Sequence, residues 1–108
     1  MSRHIFDLEQ FKLSQHARQR QQQRGFQYAD MALVLQWGEE VEDGFVLSDR
    51  AIKNARKELA RLGRKPALQR LDHLRGMALI EQDGTLVTVF RADKKRLRRL
   101  RAGHVAAA

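Results

Sequence analysis

The segment "GMALIEQDGTLVTVFR", residues 76–91, carries the strongest fold signal in the chain. It consists of two β-prone runs around Asp83-Gly84, a pair that is typical of the tight turn of a β-hairpin. We therefore expect strands at 77–82 and 85–91, paired antiparallel.

Alternation along the second of these strands bears on which side chains can share a pocket. Strict alternation places Leu86, Thr88 and Phe90 on one face. The opposite face then carries Val87, Val89 and Arg91. Thr88 and Arg91 can line the same pocket only if a twist or a bulge interrupts the strand.

The residues before the hairpin predict three helices. Ser14 is a suitable N-cap for the first helix, and Gly25 is placed just beyond its last turn. The second, "QYADMALVLQWG" at residues 27–38, has the apolar spacing of a buried helix. The third is capped by Ser48 or Asp49.

Two further stretches complete the pattern. The stretch "DGFVLSD", residues 43–49, predicts a short strand from Phe45 to Leu47. Residues 67–75, "ALQRLDHLR", fit either a short helix after Pro66 or an approach to the sheet. N-terminal helices packed on a small antiparallel sheet, with one helix interposed, make an α+β fold.

The positive charge is concentrated at one end of the chain. The 108 residues carry a net charge of +8, and six of the 21 Lys and Arg residues lie in 93–108 beside a single acidic residue. We therefore expect one α+β domain over 1–92 and a basic tail over 93–108 that is flexible or helical only in part and is dispensable for folding. Basic excess favours polyanionic partners, although such a tail also serves solubility alone.

Composition argues against several classes of site. The chain has no cysteine, which excludes a disulfide framework and a thiolate metal site. We expect no metal or cofactor, since there is no glycine-rich phosphate loop and no ligand-like spacing among His4, His16, His73 and His104. No apolar run approaches the about 20 residues of a membrane span, and a signal-peptide apolar region is lacking. We therefore expect a cytoplasmic protein.

The first helix, "SQHARQRQQQRG" at residues 14–25, is polar all round except for Ala17. Steps of four residues place His16, Arg20 and Arg24 on one stripe of the helix. Two guanidiniums can grip a phosphate, and an imidazole one turn away can transfer protons near neutral pH. The alternative is a solvated helix whose Ala17 and arginine stems pack on the sheet. Its arginines would then pair with acidic residues, namely Glu39, Glu40, Glu42 or Asp43.

The same stripe carries a family resemblance. The segments "HARQRQQQRGF" (16–26), "ADMALVLQWG" (29–38) and "DGTLVTVFR" (83–91) resemble the DUF4258 family of small bacterial proteins. The residues that match the family pattern are His16, Ala17, Arg20, Arg24, Gly25, Phe26, Thr88, Phe90 and Arg91. The resemblance implies a RelE- or barnase-like fold and metal-independent ribonuclease activity, often as the toxin of a toxin–antitoxin pair.

The leading hypothesis is therefore a metal-independent endoribonuclease. His16 would act as general base or acid, while Arg20 and Arg24 stabilise the charge that grows on the phosphate. Arg91 would clamp a second phosphate oxygen, and Thr88 would donate a hydrogen bond. Further nucleic-acid contacts would come from Arg18, Lys94, Lys95, Arg96, Arg98 and Arg99.

The expected partners are RNA, including ribosome-bound RNA, and an antitoxin protein. Two other functions remain open at this point. One is a non-catalytic RNA- or ribosome-binding module that uses the tail and the basic face of the third helix. The other is a domain that docks a protein partner through a strand edge or the tail.

Overall fold

The computed structural model describes residues 11–103, which contain five α-helices and five β-strands. The helices are α1 (Gln15–Gln23), α2 (Tyr28–Trp37), α3 (Asp49–Arg61), α4 (Lys65–Leu71) and α5 (Lys94–Arg101). The strands are β1 (Lys12–Leu13), β2 (Glu39–Val41), β3 (Gly44–Val46), β4 (Met77–Gln82) and β5 (Thr85–Arg91). A 3₁₀ turn, Asp72–Leu74, precedes β4. The α+β class is confirmed.

The five strands form one mixed sheet in the order β1-β5-β4-β3-β2. The expectation of a purely antiparallel sheet is wrong at one edge, because β1 pairs with β5 in parallel. The N–H of Lys12 donates to the Gly84 carbonyl (2.9 Å) and that of Ser14 to the Leu86 carbonyl (3.0 Å). A two-residue strand has no periodicity to recognise, so pairing of β1 was not predictable from pattern.

The hairpin of β4 and β5 is confirmed, with its turn at Asp83-Gly84. Both turn residues have positive φ, 51° for Asp83 and 82° for Gly84, as the favoured two-residue hairpin turn requires. The register shifts inside the ladder, since Thr88 opposes Ile80 whereas Leu86 opposes Glu81. Val87 is the extra residue of this bulge.

The bulge changes which side chains of β5 share a face. Leu86 packs with Val89 in one apolar cluster, and Val87 packs with Phe90 in another. The strict alternation expected from the sequence is therefore wrong for Leu86 and Val87. The extra residue in one strand resets the alternation of period two.

Helix ends follow the predicted caps. The hydroxyls of Ser14 and Ser48 accept hydrogen bonds from the N–H groups of Ala17 and Ala51, so the third helix begins directly after Ser48. Residues 67–75 contain the end of α4 and the 3₁₀ turn, so the alternative of a short helix describes most of this segment.

Both faces of the sheet are covered. On one face, α2, α3 and α4 contribute Leu35, Leu59 and Leu71 to the larger cluster, each at most 1% exposed. On the other face, α5 contributes Leu100, which packs among Val46, Ala78, Ile80 and Phe90. The sheet is therefore the middle layer, and α5 is one of its covers.

The described part of the predicted basic tail over 93–108 is a helix that packs on the sheet, so the flexible alternative does not describe it. Residues 94–101 form α5, with Asp93 as the N-cap. Leu100 is 1% exposed and Leu97 is partly buried against the same cluster. Two leucines at helical spacing give a short helix an apolar stripe, and this stripe packs on the sheet face opposite to α2, α3 and α4. Residues 104–108 of the predicted tail lie outside the described residues.

An ion pair ties the end of α5 to the far edge of the sheet. Arg101 donates to both carboxylate oxygens of Glu39, from Nε at 2.7 Å and from Nη2 at 2.8 Å. The Ser48 hydroxyl donates to the same carboxylate at 2.9 Å. The hydrogen bond from Arg101 lowers the pKa of Glu39, partial burial opposes this, and the Ser48 hydroxyl adds to the lowering.

A second carboxylate is held inside the helical layer. Asp30 is 2% exposed, and Arg70 donates to its two oxygens at 2.6 Å each. The N–H of Gln27 donates to Asp30 at 2.8 Å. Burial raises the pKa of Asp30, but the hydrogen bonds from Arg70 and Gln27 outweigh it and the net pKa is lowered.

Among residues 11–103, no helix has the length and apolar character needed to cross a lipid bilayer.

Candidate functional site

The first turn of α1 pins this polar helix to β5. The Ser14 hydroxyl caps the helix and also donates to the Val87 carbonyl at 3.0 Å. Ala17, 1% exposed, is the one buried residue of α1. The helix therefore uses a single small side chain for packing, and its longer side chains are left for solvent and for the neighbouring elements.

The end of α1 is fixed equally firmly. Gly25 adopts φ +69°, a conformation that residues with a Cβ rarely take, and the N–H of Phe26 then donates to the Gln21 carbonyl at 2.9 Å. The Gln21 side chain donates in return to the Phe26 carbonyl. Phe26 is buried, so the position of Arg24 beside this turn is set by the backbone.

A cleft of about 420 Å³ lies between α1 and α5, with β5 contributing to its lining; we call it the basic cleft. Its lining residues are His16, Arg20 and Arg24 from α1, Thr88, Val89 and Phe90 from β5, and Asp93, Lys95, Arg96 and Arg99 from the N-cap and body of α5. The stripe predicted on the first helix and half of the predicted basic contacts thus meet in one place.

One cation of the basic cleft is held over an aromatic ring. The guanidinium carbon of Arg96 lies 3.6 Å from the centroid of the Phe90 ring. The N–H of Arg96 donates to the Asp93 carboxylate at 2.7 Å, which caps α5. Within residues 11–103, Asp93 is the only carboxylate in a lining that holds five Lys and Arg side chains, so the field that these residues produce in the cleft is strongly positive.

The cations of the basic cleft form no ion pairs within residues 11–103. Every ion pair in that range involves other arginines, namely Arg56, Arg61, Arg70, Arg75 and Arg101. The alternative in which Arg20 and Arg24 pair with Glu39, Glu40, Glu42 or Asp43 is therefore wrong. Glu39 is instead bound to Arg101. Like charges gathered without a carboxylate partner repel one another, and an anionic ligand relieves that repulsion.

Thr88 and Arg91, predicted to act together, are separated. Thr88 lines the basic cleft, whereas Arg91 lies outside it and donates to the carbonyls of His73 (3.0 Å) and Arg75. Its guanidinium carbon also lies 5.8 Å from the centroid of the Phe26 ring. The opposite placement of the two side chains matches the expectation from alternation, and it removes Arg91 from the predicted catalytic group.

The predicted nucleic-acid contacts divide in the same way. Lys95, Arg96 and Arg99 line the basic cleft, whereas Arg18, Lys94 and Arg98 do not. Asp93 and Phe90 were not predicted as site residues. Asp93 carried a sequence signal, because it precedes a run with Leu97 and Leu100 at helical spacing and is a favourable N-cap. No sequence signal indicates the stacking of Arg96 on Phe90, because this contact joins two elements through tertiary packing.

No group of three or more histidine, aspartate or glutamate side chains suited to a metal ion is found within residues 11–103. His16 lies in the basic cleft, and His73 lies in the turn before β4. His4 and His104 lie outside the described residues.

Compared with models of protein families, with curated proteins and with solved structures, the chain has no match in any of the three. The similarity of His16, Arg20 and Arg24 to the DUF4258 pattern therefore stays a prediction. What the geometry adds is independent of that similarity: a histidine and five cations line one cleft.

Proposed function

We propose that this chain is a metal-independent endoribonuclease whose basic cleft binds the phosphodiester backbone of RNA. The observation that carries the proposal is the convergence of His16, Arg20 and Arg24 with the cations of α5 in one cleft, where they have no carboxylate ion-pair partner among residues 11–103. Clustered Lys and Arg side chains bind nucleic acid by neutralising phosphates and releasing counterions. Guanidiniums bind phosphate oxygens in pairs, which fixes the orientation of the bound group.

The cleavage step uses the 2′-hydroxyl of the RNA itself. His16 takes the proton of the 2′-hydroxyl while that oxygen forms a bond to the adjacent phosphorus. The bond from phosphorus to the 5′-oxygen breaks, its electron pair goes to that oxygen, and solvent water supplies the proton. The products are a 2′,3′-cyclic phosphate and a 5′-hydroxyl, so the step needs no oxidant, reductant or second substrate.

The arginines act on the charge that builds during this step. The phosphorus passes through a crowded dianionic arrangement, and donors already aimed at it stabilise it more than they stabilise bound substrate. Arg20 and Arg24 fill this role from α1. Arg96 fills it from α5, where stacking on Phe90 orients its guanidinium before the substrate binds.

Cleavage of a fluorescent oligoribonucleotide in the presence of EDTA tests the proposal. His16→Ala should abolish cleavage, and Arg20→Ala should slow it on the order of 10²-fold at an unchanged melting temperature. The chain offers matched controls: His73→Ala removes an exposed imidazole outside the cleft, and Arg18→Ala removes an exposed guanidinium from the same helix. If His73→Ala lost as much activity as His16→Ala, or Arg18→Ala as much as Arg20→Ala, the assigned roles would be contradicted.

A second candidate, a non-catalytic RNA-binding module, is favoured by one specific observation. Among residues 11–103, His16 is the only imidazole in the lining of the basic cleft, and the carboxylate of Asp93 is occupied as a helix cap. Two-step proton transfer is served better by two groups than by one. RNA binding that is weakened by Arg20→Ala, with no cleavage product from the wild-type protein, would identify this second function.

The biological role that we propose follows the resemblance to the DUF4258 family: a RelE-like ribonuclease toxin in the cytoplasm, held inactive by an antitoxin. An acidic partner seated in the basic cleft would block RNA by charge alone. Induced expression should arrest bacterial growth for the wild-type chain and not for His16→Ala. Arrest by both would show that the effect does not depend on the proposed chemistry.

A further inference from the structure

A second groove, of about 470 Å³, lies on the other side of the first turn of α5. The two clefts are neighbours, because Asp93 lines both of them. The next two residues diverge: Lys94 lines the second groove, and Lys95 lines the basic cleft. The N-terminal turn of α5 is thus a ridge between two concave surfaces.

The second groove is also rimmed by cations, but most of them are already engaged. Arg75 pairs with Asp49, and Arg101 pairs with Glu39. Arg91, as described above, donates to two backbone carbonyls. These contacts hold the rim in place, and they leave two cations without a hydrogen bond or ion pair among residues 11–103. The two are Arg50, in the first turn of α3, and Lys94.

The chemistry of the groove differs from that of the basic cleft. Ala92 and Leu97, both partly exposed, contribute an apolar part of its lining beneath the charged rim. A nucleotide has the same two-part character, with an apolar base face and a charged phosphate. A free phosphate would gain nothing from contact with the apolar lining, and an aliphatic ligand would gain nothing from contact with the cations.

We infer that the second groove binds the nucleotide that adjoins the cleavage site, so that one RNA strand crosses the ridge at α5 and occupies both clefts. The inference rests on the proposed function for the identity of the ligand. The base packs on the apolar lining, and Arg50 and Lys94 contact the phosphates that flank it. Lys94 and Lys95, one on each side of the ridge, offset the repulsion that Asp93 exerts on the passing strand.

The salt dependence of binding tests this inference, with fluorescence anisotropy of labelled 2′-O-methyl oligouridylates, which lack the attacking hydroxyl and are not cleaved, as the measurement. The variant Arg50→Ala/Lys94→Ala removes the two phosphate contacts. With a dodecanucleotide, the slope of log Kd against log salt concentration should fall by about 1.4, since each contact to a single strand contributes about 0.7. With a dinucleotide, too short to cross the ridge, the slopes of wild type and variant should agree. The affinity ratio between long and short oligonucleotides should therefore fall.

The matched control is Lys53→Ala/Lys57→Ala, which removes two exposed cations of α3 that line neither cleft. It should keep the wild-type slope with both oligonucleotides. If Arg50→Ala/Lys94→Ala also keeps the slope while Arg20→Ala/Arg24→Ala lowers it, the second groove is not part of the RNA site and the proposed function stands. If the wild-type protein binds neither oligonucleotide, the proposed function fails and this inference fails with it. An equal change with both lengths would likewise overturn the crossing of the ridge.

Discussion

The guanidinium of Arg96 stacks on the ring of Phe90, with 3.6 Å between the guanidinium carbon and the ring centroid. Phe90 belongs to β5 and Arg96 to α5, so this contact joins the middle layer of the fold to the helix that covers it. Both residues line the basic cleft. The contact therefore contributes to stability and to the orientation of a candidate ligand-binding group at the same time.

The stacking energy is measurable by a double-mutant cycle. Phe90→Leu and Arg96→Ala should each lower the free energy of unfolding. We expect the loss in the double variant to be smaller than the sum of the two single losses by about 0.5–1 kcal/mol, which is the coupling energy. Chemical denaturation of the four proteins provides the values. Strict additivity would show that the stack contributes nothing beyond ordinary packing.

The packing of α5 predicts that the C-terminal segment is needed for stability. Leu100→Ala should cost about 2–5 kcal/mol, because Leu100 is 1% exposed among Val46, Ala78 and Phe90. Leu62→Ala is the matched control, since Leu62 is 57% exposed and should change stability by less than about 0.5 kcal/mol. Similar melting temperatures for the two variants would mean that α5 does not cover the core in solution.

The ion pair of Glu39 with Arg101 predicts a specific pH dependence. Because the pKa of Glu39 is lowered in the folded state, its contribution is complete above the ordinary glutamate pKa of about 4.3. It is lost as the pH falls through the lowered folded pKa. Glu39→Gln should therefore cost about 1 kcal/mol at neutral pH, and the difference from wild type should shrink below about pH 4. A constant difference at every pH would contradict this assignment.

The stability that Asp30 contributes is expected to depend on pH in the same direction as that of Glu39. Its lowered pKa means that acid removes stability, and Asp30→Asn should lower the free energy of unfolding at pH 7 by about 2 kcal/mol, because Arg70 then loses a charged acceptor. Asp83→Asn, in the exposed hairpin turn, is the control for removal of one carboxylate. Denaturation curves at pH 7 and pH 3 check both points, and an equal loss in the two variants would count against a special role for Asp30.

The position of Arg91 predicts that this residue contributes to stability and little to cleavage. Arg91→Ala should lower stability by about 1 kcal/mol, because the carbonyls of His73 and Arg75 lose their donor. Cleavage of a dinucleotide should be slowed far less than by Arg20→Ala, since Arg91 does not line the basic cleft. Single-turnover rates at saturating protein compare the two variants directly. An equally large loss of rate with Arg91→Ala would restore the role that its sequence position first indicated.

Local signals predicted the elements whose causes are local. The Asp83-Gly84 turn fixed the hairpin because both residues accept positive φ. Ser14, Ser48 and Gly25 marked helix ends because capping depends on neighbours within a few residues. By contrast, β1 and β2 are too short for any pattern, and their pairing exists only because other strands offer open edges.

The sequence by itself determined that His16, Arg20 and Arg24 lie on one stripe, since the helical repeat sets that spacing. It also held the two leucines that seat α5. Alternation also predicted that Thr88 and Arg91 lie on opposite sides of β5, but only the tertiary structure decided that α5 lies across the cleft from α1 and that Thr88, not Arg91, lines this cleft. The physical reason is that Leu100 is buried against Val46 and Ala78, which are far from it in the chain. A local pattern determines which secondary structure a segment forms, whereas the composition of the site depends on which surfaces the other elements leave uncovered.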